Sequence, residues 1–191
     1  SQKSHYPSAP MVASSLRYSC SNLAFDYQRL RQTHDRWINA SGLPFGITHA
    51  EYIFDGSHFT LVEVAARGGG TRISSDIVPN LSGVDCQELL IDAVTGRSVP
   101  DINVPASERY GLLEFFDFPV GRVVSVTGVD AAKKTPGVVD IVLNCAEGDL
   151  VSSPENDTQR LGYFIICCGT EEELDAARLS VLGNVCLEVK R

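Results

Sequence analysis

The sequence lacks the features that mark several common classes of protein. None of its apolar runs approaches the roughly 20 residues that a helix needs to cross a bilayer, and its N-terminus has no apolar signal core. A Walker loop, a GxGxxG fingerprint and an HExxH motif are all absent. These absences argue against a membrane partner and against the commonest nucleotide-binding and zinc-binding motifs.

Basic residues are also scarce. The chain has 16 Lys and Arg against 24 Asp and Glu, which gives a formal net charge of -8 at pH 7. A general binder of nucleic acid or of anionic membranes normally carries a basic patch, so we expect neither partner. A nucleotide remains compatible with this charge, because a local arginine and a divalent cation can supply the positive charge that phosphates need.

The six cysteines form no CxxC pair, and most of them lie in apolar segments. We therefore expect buried, reduced thiols and a cytoplasmic protein. Cys167 and Cys168 have no evident partner base, so a buried strand is favoured there over a nucleophile. The chain begins with Ser rather than Met, and we expect it to be part of a longer protein. Whether that protein forms a homo-oligomer is left open.

Apolar spacing predicts the elements of the N-terminal part. Residues 1–22 are polar and predict one short extended piece around 11–16. A helix is expected over 22–40 with Gly42 as its stop, and two strands near 46–54 and 58–65. A short helix over 73–78 is expected to end at Pro79, and Asp85 is the expected N-cap of the next helix.

The C-terminal part is rich in predicted strands. They are expected at 111–118, 122–129, 138–144, 162–168 and 185–189, and Thr170 opens a helix with capping-box spacing. The predicted fold class is α+β, with a mostly antiparallel sheet flanked by helices. We predict two domains, a metal- and phosphate-binding core over 1–109 and a strand-rich subdomain over 110–191.

The two strands near 46–65 carry the most informative chemistry. Glu51 and Glu63 lie on them, followed by Arg67 and the glycine run Gly68–Gly70. Carboxylates are costly to bury unless a cation compensates them, and magnesium prefers carboxylate and phosphate oxygens. Arg67 can neutralise charge on a phosphoryl group, and glycines let the backbone approach a ligand closely.

The length of the turn decides whether both glutamates share a face. A two-residue loop at 55–56 would send them to opposite faces, whereas a three-residue loop would put them on one face because side chains alternate along a strand. We predict the three-residue loop, and with it an apolar floor of Ile53, Phe59 and Leu61 on the glutamate face.

These residues resemble the metal-binding segment of ATP-grasp enzymes. The resemblance rests on Glu51-x11-Glu63-x3-Arg67, set in Leu61-Val-Glu-Val-Ala-Ala-Arg-Gly-Gly-Gly70. The segment Ile77-Val-Pro-Asn-Leu-Ser-Gly-Val-Asp85 is similar as well. The branch with L-amino acid ligases and carbamoyl-phosphate-synthase-like proteins is the most similar, and the resemblance covers 20–96 well and 110–191 more loosely.

The resemblance implies the roles of the site residues. Glu51 and Glu63 would bind Mg²⁺ or Mn²⁺ and ATP phosphates, Gly68 and Gly69 would contact the nucleotide, and Arg67 would contact the reacting phosphate as the catalytic residue. The chain looks like the C-terminal lobe of such an enzyme, without the lid and the domain before it. Ala65 departs from the pattern, since many ATP-grasp enzymes have there an asparagine that binds metal.

The resemblance also implies a function. The expected activity is that of an ATP-dependent carboxylate–amine ligase, in which ATP converts a small-molecule carboxylate into an acylphosphate and an amine displaces the phosphate. The chain alone is expected to be inactive. Two alternatives stay open, a non-catalytic binding or assembly module with a relict site, and an ATP-grasp enzyme of the carbamoyl-phosphate or purine-pathway type.

Three further residues are weaker candidates for the site. His49 shares the strand face of Glu51 and would orient a metal ligand, although a structural role is favoured. Arg72 would reach a phosphate or a substrate carboxylate, with a surface salt bridge as the favoured alternative. Arg160 is a weaker candidate for binding a substrate carboxylate.

Overall fold

The computed structural model describes residues 1–19, 22, 24–99, 102 and 109–190. The strands are β1 (Gln2–Tyr6), β2 (Ala9–Ser19), β3 (His49–Phe54), β4 (Phe59–Ala65), β5 (Tyr110–Phe115), β6 (Gly121–Thr127), β7 (Val138–Leu143), β8 (Leu150–Val151), β9 (Gly162–Cys168) and β10 (Cys186–Lys190). The helices are α1 (Tyr27–Ser41), α2 (Val78–Ser82), α3 (Cys86–Val94), α4 (Val129–Ala132) and α5 (Glu171–Asn184), with a π-helical turn at Ile73–Ile77 and a 3₁₀ turn at Asp157–Gln159.

The chain divides into two compact units. One comprises residues 1–20 and 108–191, and the other comprises residues 21–107. The predicted domain division at 109/110 differs from this partition in one respect. Residues 1–20 group with the C-terminal part, because β2 pairs with β5 along Ser15–Ser19.

The first unit is built on a five-stranded antiparallel sheet in the order β1-β2-β5-β9-β7. Strand β9, which lies between β5 and β7, is apolar on both faces, and its Phe164, Ile165 and Ile166 are fully buried. The helix α5 packs Leu174 and Val181 into the core on one face of this sheet. A smaller sheet, β10-β6-β8, has its own core of Val123, Val151 and Leu187. These units confirm the predicted α+β class.

The second unit contains α1, the β3–β4 hairpin, the π-helical turn, α2 and α3. As predicted, α1 ends at Gly42 in the left-handed conformation, and the Asp85 side chain accepts hydrogen bonds from the backbone of Gln87 and Glu88 at the start of α3. The capping box predicted at Thr170 in the other unit is also present.

Two element predictions were wrong. The N-terminal residues form two full strands rather than one short piece, because pairing of β2 with β5 outweighs their polar composition. Pro79 does not end a helix. It lies in the first turn of α2, where the missing N–H has no intrahelical partner to lose. Residues 97–109 are polar and contain Pro100 and Pro105, which predicts a linker, and part of this segment lies outside the described residues.

Candidate functional site

Glu51 and Glu63 face each other across the β3–β4 hairpin. The strands pair Phe54 with Phe59 and Tyr52 with Leu61, and the register then shifts so that Glu51 pairs with Glu63. Val62 is the extra residue of β4, which makes this shift a β-bulge. The two carboxylates are therefore direct cross-strand neighbours.

The predicted three-residue loop was wrong, although its consequence for the glutamates is found. The strands close over the four residues 55–58, because the Asp55 carboxylate accepts hydrogen bonds from the backbone of Ser57 (2.8 Å) and His58 (2.7 Å). Backbone donation from His58 and Ser57 also lowers the pKa of Asp55. Counted back from this turn without a bulge, Glu51 would pair with Val62. The extra residue in β4 brings Glu63 opposite Glu51 instead.

Two of the three residues predicted as an apolar floor, Phe59 and Leu61, lie on the face opposite the glutamates. Phe59 stacks on Phe54, with ring centroids 4.5 Å apart, and Leu61 pairs with Tyr52. Ile53 shares the face of Glu51, as predicted, but it is 63% exposed. The carboxylates therefore share an open face of the hairpin rather than a closed apolar pocket.

The donor set at this hairpin fits a hard divalent cation. Like charges placed directly opposite each other destabilise a strand pair, and a bound cation reverses that cost. Within the described ranges, no group of three or more His, Cys, Asp and Glu side chains is placed to hold a metal ion. The protein would thus supply the two carboxylates, and phosphate oxygens and water would complete the shell, as magnesium prefers.

His49 connects the carboxylates with the glycine run. Its Nε2 lies 3.9 Å from Oε1 of Glu51, and its Nδ1 would lie 2.9 Å from a Cβ added at Gly69. This second contact has no counterpart in the sequence analysis. An orienting role of His49 toward Glu51 stays a prediction, and the packing against Gly69 gives the residue a structural role as well.

The glycine run is required by the fold itself at two of its three positions. A Cβ at Gly68 would lie 2.6 Å from Oγ of Ser74, and one at Gly69 would meet both His49 and Ile73. Gly70 has open space around it. The proposed contacts of Gly68 and Gly69 with a nucleotide stay predictions, but tight packing already explains why side chains are absent there.

The three candidate arginines differ in their surroundings. Arg67 is exposed, and its Nη1 donates to the carbonyl of Gly68 at 2.8 Å. Arg72 forms the predicted salt bridge, with Asp76. Arg160 lies 3.7 Å above the ring of Phe115 with a side chain only 11% exposed. Burial lowers its pKa, and these contacts favour a structural role for Arg160.

Cys167 and Cys168 line a cavity of about 540 Å³ in the first unit. Both are buried in β9, as predicted. Burial, and then the charge of Glu173, raises the pKa of the Cys168 thiol, so that it stays protonated at neutral pH. The described lining of the cavity includes no histidine. A buried strand is therefore favoured over a nucleophile.

One feature of the site has no signal in the sequence. After the glycines, Thr71 and Arg72 both adopt left-handed backbone conformations, with φ of 49° and 61°, and a π-helical turn follows. A threonine in the sequence does not predict a left-handed conformation, because β-branched residues strongly disfavour that conformation. Left-handed non-glycine residues and π-helical turns both occur frequently at functional sites.

A comparison with protein families found a similarity in the C-terminal part of the chain. The family described as "L-amino acid ligase C-terminal domain 2" matches residues 114–190. The resemblance of the sequence to ATP-grasp enzymes is looser in this part of the chain than over residues 20–96. The matched residues do not include the β3–β4 hairpin. A comparison with curated proteins found no significant match.

Solved structures show the fold. Phosphoribosylglycinamide synthetase from Anaerococcus prevotii is 16% identical with a TM-score of 0.78, and the match covers 98% of this chain and 48% of that chain. L-amino acid ligase from Bacillus licheniformis is 17% identical with a TM-score of 0.71, covering 92% and 44%. Biotin carboxylase from Campylobacter jejuni is 13% identical with a TM-score of 0.62, covering 91% and 39%.

These similarities confirm the predicted fold, which is that of the C-terminal half of ATP-grasp enzymes. The chain spans about half the length of the first two of these structures.

No helix among the described residues is both long and apolar enough to cross a membrane.

Proposed function

We propose that the full-length protein is an ATP-dependent carboxylate–amine ligase. The observation that carries this proposal is the direct pairing of Glu51 with Glu63 on the open face of the hairpin. Paired carboxylates suit a cation that must also bind phosphate. The fold of an ATP-grasp C-terminal half, which includes an L-amino acid ligase among its examples, supports the same activity.

Glu51 and Glu63 would hold Mg²⁺ or Mn²⁺ together with the ATP phosphates. A bound divalent cation supplies charge neutralisation for phosphoryl transfer. Arg67 would place its guanidinium on the transferring phosphoryl group or on the acylphosphate. Gly68 and Gly69 would present their backbone to the nucleotide, held in place by Ser74 and His49.

The comparison proteins support the use of ATP. The biotin carboxylase structure is described as a complex with β,γ-ATP, and the phosphoribosylglycinamide synthetase and the L-amino acid ligase are enzymes with the same fold. We propose that the substrates of this protein are likewise a small carboxylate and a small amine, and that it acts in the cytoplasm.

Two alternatives have observations in their favour. Ala65, at a position where a third metal ligand would stand, favours a non-catalytic module with a relict site. The structural similarity to phosphoribosylglycinamide synthetase, with a TM-score of 0.78, favours an ATP-grasp enzyme of the purine-pathway or carbamoyl-phosphate type. Both alternatives share the fold with the ligase, but the relict module forms no product and the second type of enzyme forms a different one.

The test compares Glu63→Gln with the matched control Glu147→Gln in the full-length protein. Glu147 is an exposed residue of the first unit. ADP release is measured with Mg²⁺-ATP and a pool of the twenty amino acids as acceptors, with circular dichroism as a check on folding. We expect Glu63→Gln to abolish ADP release and Glu147→Gln to keep it.

Product analysis separates the alternatives. Mass spectrometry of the reaction should show a condensed amide together with phosphate and ADP. ADP release that depends on bicarbonate, without a condensed amide, would support the carbamoyl-phosphate type. Undiminished acceptor-dependent ADP release by folded Glu63→Gln would overturn the proposed site, and wild-type protein without any ADP release would support the relict module.

A further inference from the structure

The chain leaves the glycine run through a strained turn. Thr71 and Arg72 both have positive φ, at 49° and 61°. For a non-glycine residue this conformation is uncommon, and for a β-branched residue such as Thr71 it is a genuine outlier. Such strain persists only where the surrounding structure enforces it, and it occurs preferentially at functional sites.

Asp76 helps to hold the turn at Thr71 and Arg72 in this conformation. Its carboxylate accepts a hydrogen bond from Nη2 of Arg72 at 2.9 Å, and its other oxygen lies 2.7 Å from Nε of the same guanidinium. The bidentate geometry makes this a strong type of ion pair, and the Asp76 side chain is only 15% exposed. The backbone closes the same ring, since the Arg72 carbonyl accepts from the amides of Asp76 (3.0 Å) and Ile77 (3.2 Å).

Residues that follow the strained turn are hydrogen-bonded to the glycine run. The amide of Ile73 donates to the carbonyl of Gly70 at 3.0 Å, and Oγ of Ser74 donates to the carbonyl of Gly69 at 3.1 Å. Residues immediately after the turn are thus bonded back onto residues immediately before it. On its other side, Gly69 packs against His49, which lies beside Glu51.

We propose that Asp76 is a positioning residue for the phosphate site. By its ion pair with Arg72 it holds the left-handed turn Thr71–Arg72, and through this turn it fixes the glycine backbone that follows Arg67. This inference rests on the proposed role of Arg67.

The test is a rescue experiment in the full-length protein. Asp76→Asn removes the ion pair and should lower kcat for ADP release about tenfold, the effect of losing a contact that offsets strain of this kind. KM for ATP should change less than about twofold, because Arg67 acts mainly in the transition state. The rescuing change is Thr71→Gly in the Asp76→Asn background, since glycine adopts a positive φ without strain.

A matched control distinguishes positioning from general destabilisation. Thr71→Ala, in the same background, shortens the same side chain but keeps a Cβ at the residue with positive φ. We expect recovery of most of kcat with Thr71→Gly and little with Thr71→Ala. Equal recovery with both, or recovery with neither, would overturn the proposal.

A readout that needs no activity separates this inference from the proposed function. In the 191-residue chain, the HN–Hα couplings and amide shifts of residues 68–72 report the conformation of the turn. Asp76→Asn should change them, and the added Thr71→Gly should restore the shifts of Gly68 and Gly69. Unchanged shifts in Asp76→Asn would overturn the role of Asp76 even if the protein is a ligase. Wild-type protein without ADP release would instead contradict the proposed function.

Discussion

Glu51 lies directly opposite Glu63, although counting from the turn would place it opposite Val62. The single extra residue in β4 moves the second carboxylate to the face of the first one. A β-bulge of this kind re-aims a side chain and is frequent next to functional sites. The juxtaposition brings two negative charges together where a strand pair by itself gains nothing from them.

This repulsion predicts that Glu63→Gln stabilises the metal-free protein. In metal-free buffer of low ionic strength, Glu63→Gln should raise the free energy of unfolding by about 0.2–1 kcal/mol, because it removes a like-charge cross-strand pair. The gain should shrink at high salt, since surface charges are screened. Denaturant unfolding measures both, with Glu147→Gln as the control.

The same variant should lose its response to a paramagnetic cation. Substoichiometric Mn²⁺ broadens amide signals near its binding site, so it detects affinities as weak as the millimolar range. We expect broadening centred on residues 49–52 and 62–65 in the wild-type chain and none of it in Glu63→Gln. Broadening at these residues that persists in Glu63→Gln would contradict the metal site.

The glycine run predicts a difference between two neighbouring alanine substitutions. Gly69→Ala would force a Cβ to within 2.9 Å of the His49 ring and 3.0 Å of Ile73, and it should cost about 1–3 kcal/mol of stability, as overpacking does. Gly70→Ala meets open space and should stay within about 0.5 kcal/mol. Thermal unfolding gives the costs, and the His49 ring signals in NMR should shift only in Gly69→Ala.

The ion pair between Glu114 and Arg178 predicts a stability difference in the first unit. The Arg178 guanidinium donates two hydrogen bonds to the Glu114 carboxylate, whose side chain is 12% exposed. Hydrogen bonding to Glu114 also raises the pKa of Arg178. Glu114→Gln should cost about 1–3 kcal/mol, the lower part of the range being expected because Arg178 is 36% exposed.

Glu171→Gln is the matched control for that change. Glu171 is 56% exposed and pairs with Arg17 at 3.1 Å, so its loss should cost less than about 1 kcal/mol. Denaturant unfolding measures the loss in free energy of unfolding for both variants. Equal losses would contradict the prediction that the more buried ion pair contributes more to stability.

Tyr6 predicts a loss of stability at high pH. Its burial, with a smaller effect of Asp117, raises its pKa from 10.0 to about 12. Between these values the unfolded chain loses the proton that the folded chain keeps, so stability is complete below pH 10 and falls as the pH rises toward 12. The slope of unfolding free energy against pH should therefore be shallower over this interval in Tyr6→Phe than in the wild-type chain.

The elements that the sequence predicts well are those that local interactions define. Asp85 and Thr170 satisfy the free amides at the starts of α3 and α5 with their own side chains, and Gly42 adopts the left-handed conformation that ends α1. These signals lie within four residues of the structure that they specify, so the chain needs no tertiary contact to express them.

The pairing of strands could not be derived in the same way. The N-terminal strands are polar in sequence, and β2 exists as a full strand because β5, more than ninety residues later, accepts its hydrogen bonds. Pairing over such a distance depends on the whole sheet, and strand propensity reflects the partner as much as the residue. The predicted short extended piece at 11–16 therefore captured only part of β2.

The β3–β4 hairpin shows what the sequence determines and what only the tertiary structure decides. The sequence alone determined which residues could form a metal and phosphate site, since carboxylates, an arginine and glycines are visible as letters. Only the tertiary structure decided that Glu51 meets Glu63, because a four-residue turn and a bulge at Val62 cancel each other's effect on alternation. It also decided the left-handed turn at Thr71, which forms against local preference and is held by Asp76, Ser74 and the packing of Gly69 on His49.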